Sequence, residues 1–182
     1  IMTKIFLIRH GEASGAYTED ADPGLSDKGK AQAMSLRSFF ANQSPLKVYS
    51  SPLRRAYETA ELVAGKSSKI FEEPRMSEIP SNTQELSERG TWLKEVIGRN
   101  WDEQPKRLTA WRNQIISFLE SQTENTIVFT HFIAINAVVG HLTNSLSIVV
   151  CKPNNCSITV LEVSDQKLQL LSLPDEAETL IN

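Results

Sequence analysis

Two histidines and two arginines stand where a fold could bring them together. The run Lys4-Ile-Phe-Leu-Ile8 has the β-branched and aromatic content of a strand buried on both faces, and it stops abruptly at Arg9, His10, Gly11 and Glu12. A second buried strand, Thr126 to Thr130, ends in His131. Side chains at the carboxyl ends of parallel strands emerge into the crevice where open α/β sheets bind ligands. Gly11 lets the backbone turn sharply there and lets a ligand approach it. Arg54 and Arg55 lie near the start of a helix. At about 100° per residue, Arg54 falls with Glu58 and Glu61 on the polar side, whereas Arg55 borders the face carrying Leu53, Ala56, Thr59, Ala60 and Val63. Arg54 is therefore expected to be solvated and salt-bridged, and Arg55 to point inward. Arg9 and Arg55 can each present a planar fork matched to phosphate, and His131 can add a donor. A neutral imidazole, oriented through its other ring nitrogen, can attack phosphorus in line. Either histidine could be that nucleophile, and the residues alone do not choose. His141 has no comparable placement and reads as structural.

Positioning these groups takes strands alternating with helices. From Ser14 to Gly24 the chain is small, acidic and aperiodic, so a loop is expected beside the site. Ser26-Asp27 offers an N-cap, and Ala31, Met34, Leu36, Phe39 and Phe40 give a helix a broad apolar side to about Ala41. Leu46 to Ser50 reads as a short strand, followed by Ser51 as N-cap and Pro52 as first helical residue. Residues 69–72 suit a further strand, leading to Pro74-Arg-Met-Ser-Glu78-Ile. Pro80 to Gly90 is polar. Trp92, Leu93, Val96, Ile97 and Trp101 then predict a helix whose tryptophans belong to the core rather than to a substrate platform. Leu108, Trp111, Ile115, Phe118 and Leu119 recur at helical spacing and predict a helix from about Pro105 to Ser121. Phe132 to His141 is apolar on nearly every side, which suits a helix packed between sheet and neighbours. Ser157 to Val163 alternates like a strand, Asp165-Gln166 turns, and Lys167 to Leu173 returns as its hairpin partner. The fold class is thus α/β: a three-layer α/β/α sandwich with a mostly parallel central sheet and an antiparallel edge near the C-terminus.

Four motifs in a fixed order carry a family resemblance. They are Arg9-His-Gly-Glu12 after the first strand; Asp22-Pro-Gly-Leu-Ser-Asp-Lys-Gly29 with Ala31-Gln32-Ala33; Ser50-Ser-Pro-Leu-Arg-Arg-Ala-Tyr-Glu-Thr-Ala60; and the strand ending in Thr130-His131. With them the chain resembles the histidine phosphatase superfamily, also called phosphoglycerate mutase-like, in its phosphatase branch. Residues 79–125 and the tail after 172 match poorly. The resemblance implies that His10 is the phosphorylated histidine, and that Arg9, His10, Arg55 and His131 form the phosphate site. It implies Glu78, in Met-Ser-Glu-Ile, as the acid/base, with Glu12, Glu85 and Asp20 as substitutes. Catalytic residues would then be His10, Glu78 and His131. The implied activity is that of a phosphoric monoester hydrolase, a phosphomonoesterase of the histidine acid phosphatase type that needs no metal and no cofactor. Two features depart from the family pattern: Phe132-Ile133 stands where many relatives have Gly-Gly, and the chain is shorter than typical phosphoglycerate mutases. Residues that would hold a mutase's carboxylate substrate are not identifiable, so hydrolysis is preferred to a mutase-type phosphotransferase. A non-catalytic phosphate-binding module is the reading from another class.

Composition narrows the partners. A chain of 182 residues with 40% hydrophobic and 23% charged residues is ordinary for a soluble globular protein and suits a single histidine phosphatase-like domain over residues 1–182, with no repeat or linker to divide it. A net charge of −3 argues against nucleic acid, and no apolar run is long enough to span a bilayer. Met2 after Ile1 suggests the natural start, and no export signal follows, so the expected location is cytoplasmic. Cys151 and Cys156 read as structural thiols, and three scattered histidines give no metal set. Gly24-Leu-Ser-Asp-Lys-Gly29-Lys30 has the spacing of a nucleotide P-loop, yet Ala31 replaces the metal-ligating hydroxyl and no strand precedes it. The expected partner is a phosphorylated small molecule or phosphoprotein. The choice lies in the unmatched segment Ile79 to Asn125 and the loop after Ala13.

Overall fold

The computed structural model describes residues 2–15, 20–43, 45–83 and 85–177. Six strands form one sheet: β1 (Met2–Arg9), β2 (Lys47–Ser50), β3 (Ile70–Glu72), β4 (Thr126–Thr130), β5 (Ile158–Ser164) and β6 (Lys167–Ser172). Their order is β3-β2-β4-β1-β5-β6. The first four run parallel, and β5 and β6 are antiparallel to their neighbours, which gives the expected antiparallel edge. Arg9 lies opposite Thr130 and Ser50 opposite Phe129. The residues that follow these strands, His10, Ser51 and His131, therefore leave the same end of the sheet.

The period-2 alternation of the strands divides the core in two. Phe6, Ile8, Val48, Ile127 and Phe129 pack under α1 (Asp27–Met34) and α3 (Arg54–Ala64), through Ala33, Ala56, Ala60 and Val63. Ile5, Leu7 and Val128 face the other way, against Ile115, Phe118 and Leu119 of α5 (Lys106–Glu120) and Ile135 and Val138 of α6 (Phe132–Leu142). Helices on both faces of a mostly parallel sheet make the three-layer sandwich. A third cluster joins Leu93 and Val96 of α4 (Leu86–Val96) to Trp101, Leu108 and Phe132. Trp101 is buried in a short 3₁₀ turn, beyond the end of the helix, and packs on Trp111.

Two local expectations change. The helix read from Ser26 to about Ala41 is broken into α1 and α2 (Arg37–Ala41). Ser35 caps α1, its hydroxyl donating back to the Gln32 carbonyl at 2.6 Å. The turn that follows lets Phe39 and Phe40 meet the ring of Phe6 edge-on. Ser51-Pro52 does not open α3: the helix starts at Arg54, and the Ser51 hydroxyl accepts from Leu53 N–H two residues earlier than a cap would stand.

The loop expected from Ser14 to Gly24 includes residues 16–19, which lie outside the described residues. Its two ends are joined, with Ser14 N–H donating to the Gly24 carbonyl at 2.8 Å. The stretch after His10 crosses α1 so closely that a Cβ on Gly29 would overlap the Glu12 carbonyl oxygen, and one on Gly11 would lie 2.5 Å from that of Gly29. Cys151 and Cys156 are free, buried thiols, each pushed up to about 12 by burial. Among the described residues no helix is long and apolar enough to cross a membrane.

Candidate active site

β1 carries two polar residues into the interior at its carboxyl end: Arg9 is 1% exposed and His10 3%. The backbone continues the parallel ladder for one more step, His10 N–H donating to the Thr130 carbonyl at 3.1 Å. The partners of the His10 ring leave one protonation pattern. Nδ1 lies 2.6 Å from the Gly11 carbonyl, which can only accept, so Nδ1 carries the hydrogen. Arg55 Nε–H, which can only donate, points at Nε2 from 3.2 Å, so Nε2 carries a lone pair. Burial first, then the charges of Arg55 and Arg9, hold His10 well below the ordinary imidazole range.

Arg55 is buried in the first turn of α3, whereas Arg54 is exposed and pairs with Glu58 at 3.0 Å. The helical wheel read from the sequence separates the two correctly. Behind Arg55, Thr59 Oγ donates to its carbonyl at 2.7 Å and accepts from Gly11 N–H at 3.1 Å, tying the exit of β1 to α3.

His131 is the N-cap residue of α6 and is fully buried. Its ring centroid is 5.1 Å from that of His10. Nε2 shares a 2.8 Å hydrogen bond with Ser51 Oγ, while Nδ1 is buried without a hydrogen-bond partner among the described residues. Burial, then Arg55, His10 and Arg9, holds this imidazole low as well.

Glu78 reaches the site from the segment after β3. Its carboxylate accepts from the backbone N–H of Ile133 and Ala134 at 3.1 Å and of Ile79 at 3.0 Å, closing the open first turn of α6. Burial still dominates and pushes Glu78 above the usual carboxylate range, against those donors and the charge of Arg55. Arg9 senses Glu78 as its chief favourable charge; burial nonetheless lowers this guanidinium to about 10. Arg9 also donates from Nη1 to the Pro153 carbonyl at 2.8 Å and stacks over Phe132 at 5.2 Å. The Phe132-Ile133 pair thus supplies a flat apolar wall for Arg9 and, through Ile133 N–H, a donor to Glu78.

All five residues singled out in the sequence, Arg9, His10, Arg55, Glu78 and His131, converge. The other carboxylates do not join them: Glu12 accepts from Ser26 Oγ at 3.0 Å beside Lys28, Asp20 is exposed and accepts from Asp22 N–H, and Glu85 is exposed before α4. His141 is exposed in the last turn of α6. Sequence reasoning missed Ser51, the Pro153 carbonyl and Asn155, whose Nδ2 donates to the His10 carbonyl at 3.1 Å. Ser51 follows β2 as His10 follows β1, so the strand-end argument would have found it. The Pro153–Asn155 loop has no periodicity to announce it. The assembled groups offer a lone pair on one imidazole, an open donor or acceptor position on another, two guanidinium forks and a carboxyl group inclined to keep its proton.

A family model described as the histidine phosphatase superfamily (branch 1) matches residues 5–176. Phosphoserine phosphatase 1 of Hydrogenobacter thermophilus is 27% identical over 205 residues, covering 94% of this chain and 92% of the relative. The 5''-phosphoribostamycin phosphatase of Niallia circulans is 31% identical over 158 residues, covering 72% of this chain and 74% of the relative. The crystal structure of a phosphoserine phosphatase from Entamoeba histolytica with 3-phosphoglyceric acid superposes with a TM-score of 0.72 at 22% identity, covering 98% of this chain and all of that one, so it shares the fold. This chain belongs to the histidine phosphatase superfamily.

Proposed function

We propose that this member of the histidine phosphatase superfamily is a phosphomonoesterase that hydrolyses small phosphate monoesters through a phosphohistidine at Nε2 of His10, without a metal. The observation that carries the reading is the unprotonated Nε2 of a buried, neutral His10, faced by Arg55 and adjoined by Arg9 and His131. An arriving phosphate draws the Arg55 fork from Nε2 onto its own oxygens and meets Arg9 and His131 beside it. These groups supply the fixed positive charge and donors that a transferring phosphoryl group needs. The Nε2 lone pair forms the N–P bond as the P–O ester bond breaks, and Glu78 gives its proton to the departing alkoxide. Water then attacks phosphorus, Glu78 takes a proton from it, the N–P bond breaks, and inorganic phosphate leaves with His10 neutral again.

The depth of the site favours a short phosphorylated arm. Arg9, His10, Arg55 and His131 are each no more than 4% exposed, so the ester must be slender enough to reach inward. O-phosphoserine is the first substrate to try, given the phosphoserine phosphatase among the relatives. The test is turnover of O-phosphoserine and p-nitrophenyl phosphate in EDTA, with rapid acid and alkaline quenches after mixing with labelled ester. Release of phosphate unaffected by EDTA, with acid-labile, base-stable label on His10 that vanishes in His10→Ala, is the expected result. Loss of activity in EDTA, or turnover with no covalent label, would sink the proposal. In a parallel incubation with labelled 3-phosphoglycerate, label recovered as an isomerised phosphoglycerate would make the protein a mutase, and phosphate binding without release from any ester would make it a binding module.

A further inference from the structure

Every backbone N–H in the irregular stretch from Val150 to Ser157 is held, and the partners form a chain that ends on Arg9. Val150 and Cys151 N–H donate to Asn136 Oδ1 at 2.8 and 2.9 Å. Asn136 is fully buried in α6, its amide anchored on the Phe132 carbonyl at 3.0 Å. Lys152 N–H donates to Glu176 Oε2 at 2.7 Å, and Asn154 N–H to the Asp175 carbonyl at 2.8 Å; Pro153 has no N–H to place. Asn155 donates to Asn154 Oδ1, Cys156 to the Arg9 carbonyl, and Ser157 to the Asn154 carbonyl. A further bond, Ala177 N–H to the Lys152 carbonyl at 2.7 Å, fastens the C-terminal segment along the loop. The Pro153 carbonyl in the middle of this arrangement receives Nη1 of Arg9 at 2.8 Å.

We propose that Glu176 and Asn136 are positioning residues for the phosphate-binding guanidinium of Arg9, acting through the loop they clamp from opposite sides. The inference rests on the reading of Arg9 as a phosphate ligand. A guanidinium fork binds phosphate well only when both its nitrogens point at the anion. Arg9 sits on the flat face of Phe132, and the Pro153 carbonyl that receives Nη1 is one of the contacts that set where its fork stands. Glu176 holds the residue before Pro153, and Asn136 the two before that. Neither touches phosphate, yet releasing either lets the carbonyl, and with it the fork, drift.

The experiment is calorimetric binding of inorganic phosphate to the full chain, with thermal melts alongside. Glu176 is exposed near the end of the chain, so Glu176→Ala is expected to fold normally while binding phosphate roughly threefold to tenfold more weakly, the scale of one lost hydrogen bond. Glu176→Gln keeps an acceptor for Lys152 N–H and should bind within about twofold of the parent. In an Arg9→Gln background, Glu176→Ala should add nothing further, because the group it positions is gone. Unchanged binding in Glu176→Ala, or an equal loss with and without Arg9, would overturn the inference. Asn136→Ala supplies the same cycle from the other clamp if its buried site still folds. A parent protein that binds no phosphate would instead overturn the phosphate site itself.

Discussion

His10 owes its neutrality to burial and two cationic neighbours, and its tautomer to two partners of opposite kind. Because its pKa is held well below the ordinary value of about 6.5, this imidazole, the proposed nucleophile, stays unprotonated in mild acid. Activity should therefore persist below pH 6.5, and the acid limb of kcat/KM should fall well under that value in a pH-rate profile. With Glu78 as the proposed acid, the other limb is its own: burial raises its pKa, so it keeps the proton to higher pH than an ordinary carboxylate, and kcat for alkyl phosphates should decline as pH rises through it. Glu78→Gln should lower kcat for O-phosphoserine by about 10²- to 10⁴-fold. It should matter far less for p-nitrophenyl phosphate, whose leaving group needs no proton. Equal losses on both esters would remove Glu78 from the acid role. At this scale the sequence was informative wherever a side chain's place followed from periodicity, as in the division between Arg54 and Arg55. It was silent where a backbone carbonyl did the work, as Pro153 does, because any residue has one.

Elements set the angles at which these side chains meet. The exit of β1 and the first turn of α1 touch through Gly11 and Gly29, with no room for a methyl group between them. Gly29→Ala should cost about 1–3 kcal/mol in a denaturant titration and also lower kcat, since the strain falls on the backbone of Glu12, two residues after His10. On α3 two adjacent arginines provide an internal control. Arg54→Ala removes an exposed pair with Glu58 and should change stability by under about 1 kcal/mol. Arg55→Ala should weaken inorganic phosphate as a competitive inhibitor at least tenfold, about the strength of a charge-assisted hydrogen bond. The strands and α5 were legible because their patterns are long or strictly alternating. The break between α1 and α2 was not, since Ser35 satisfies helical periodicity while its hydroxyl and the ring of Phe6 decide the turn.

For the whole molecule, the buried histidines couple stability to pH. The unfolded chain takes up protons near pH 6.5, while folded His10 and His131 do so only at much lower pH. Their contribution is whole above about 6.5 and is lost progressively as pH falls from there toward the depressed folded values. Glu78 opposes them, because its raised pKa favours the folded state in acid and costs stability as pH rises past the ordinary carboxylate value. Unfolding free energies measured between pH 7 and 5 should therefore fall less steeply in His10→Gln than in the parent; an unchanged slope would contradict a neutral, buried His10. The three-layer architecture was readable because each of the four parallel strands is short and leads into a segment with helical period. The order of the strands was not, since which strand lies next to β1 depends on contacts more than a hundred residues apart.

That order governs when the protein can start working. β1 is flanked by β4 and β5 alone, and its register partners begin at Thr126 and Ile158. β1 must wait, unpaired, until residues about 120 positions further along the chain have been made, and only then do Arg9 and His10 acquire a floor. Such long-range closure is slow. In pulsed hydrogen exchange during refolding, the amides of Ile5 to Ile8 should gain protection in the same late phase that restores phosphatase activity, so that no half-made chain holds Arg9 and His10 in place.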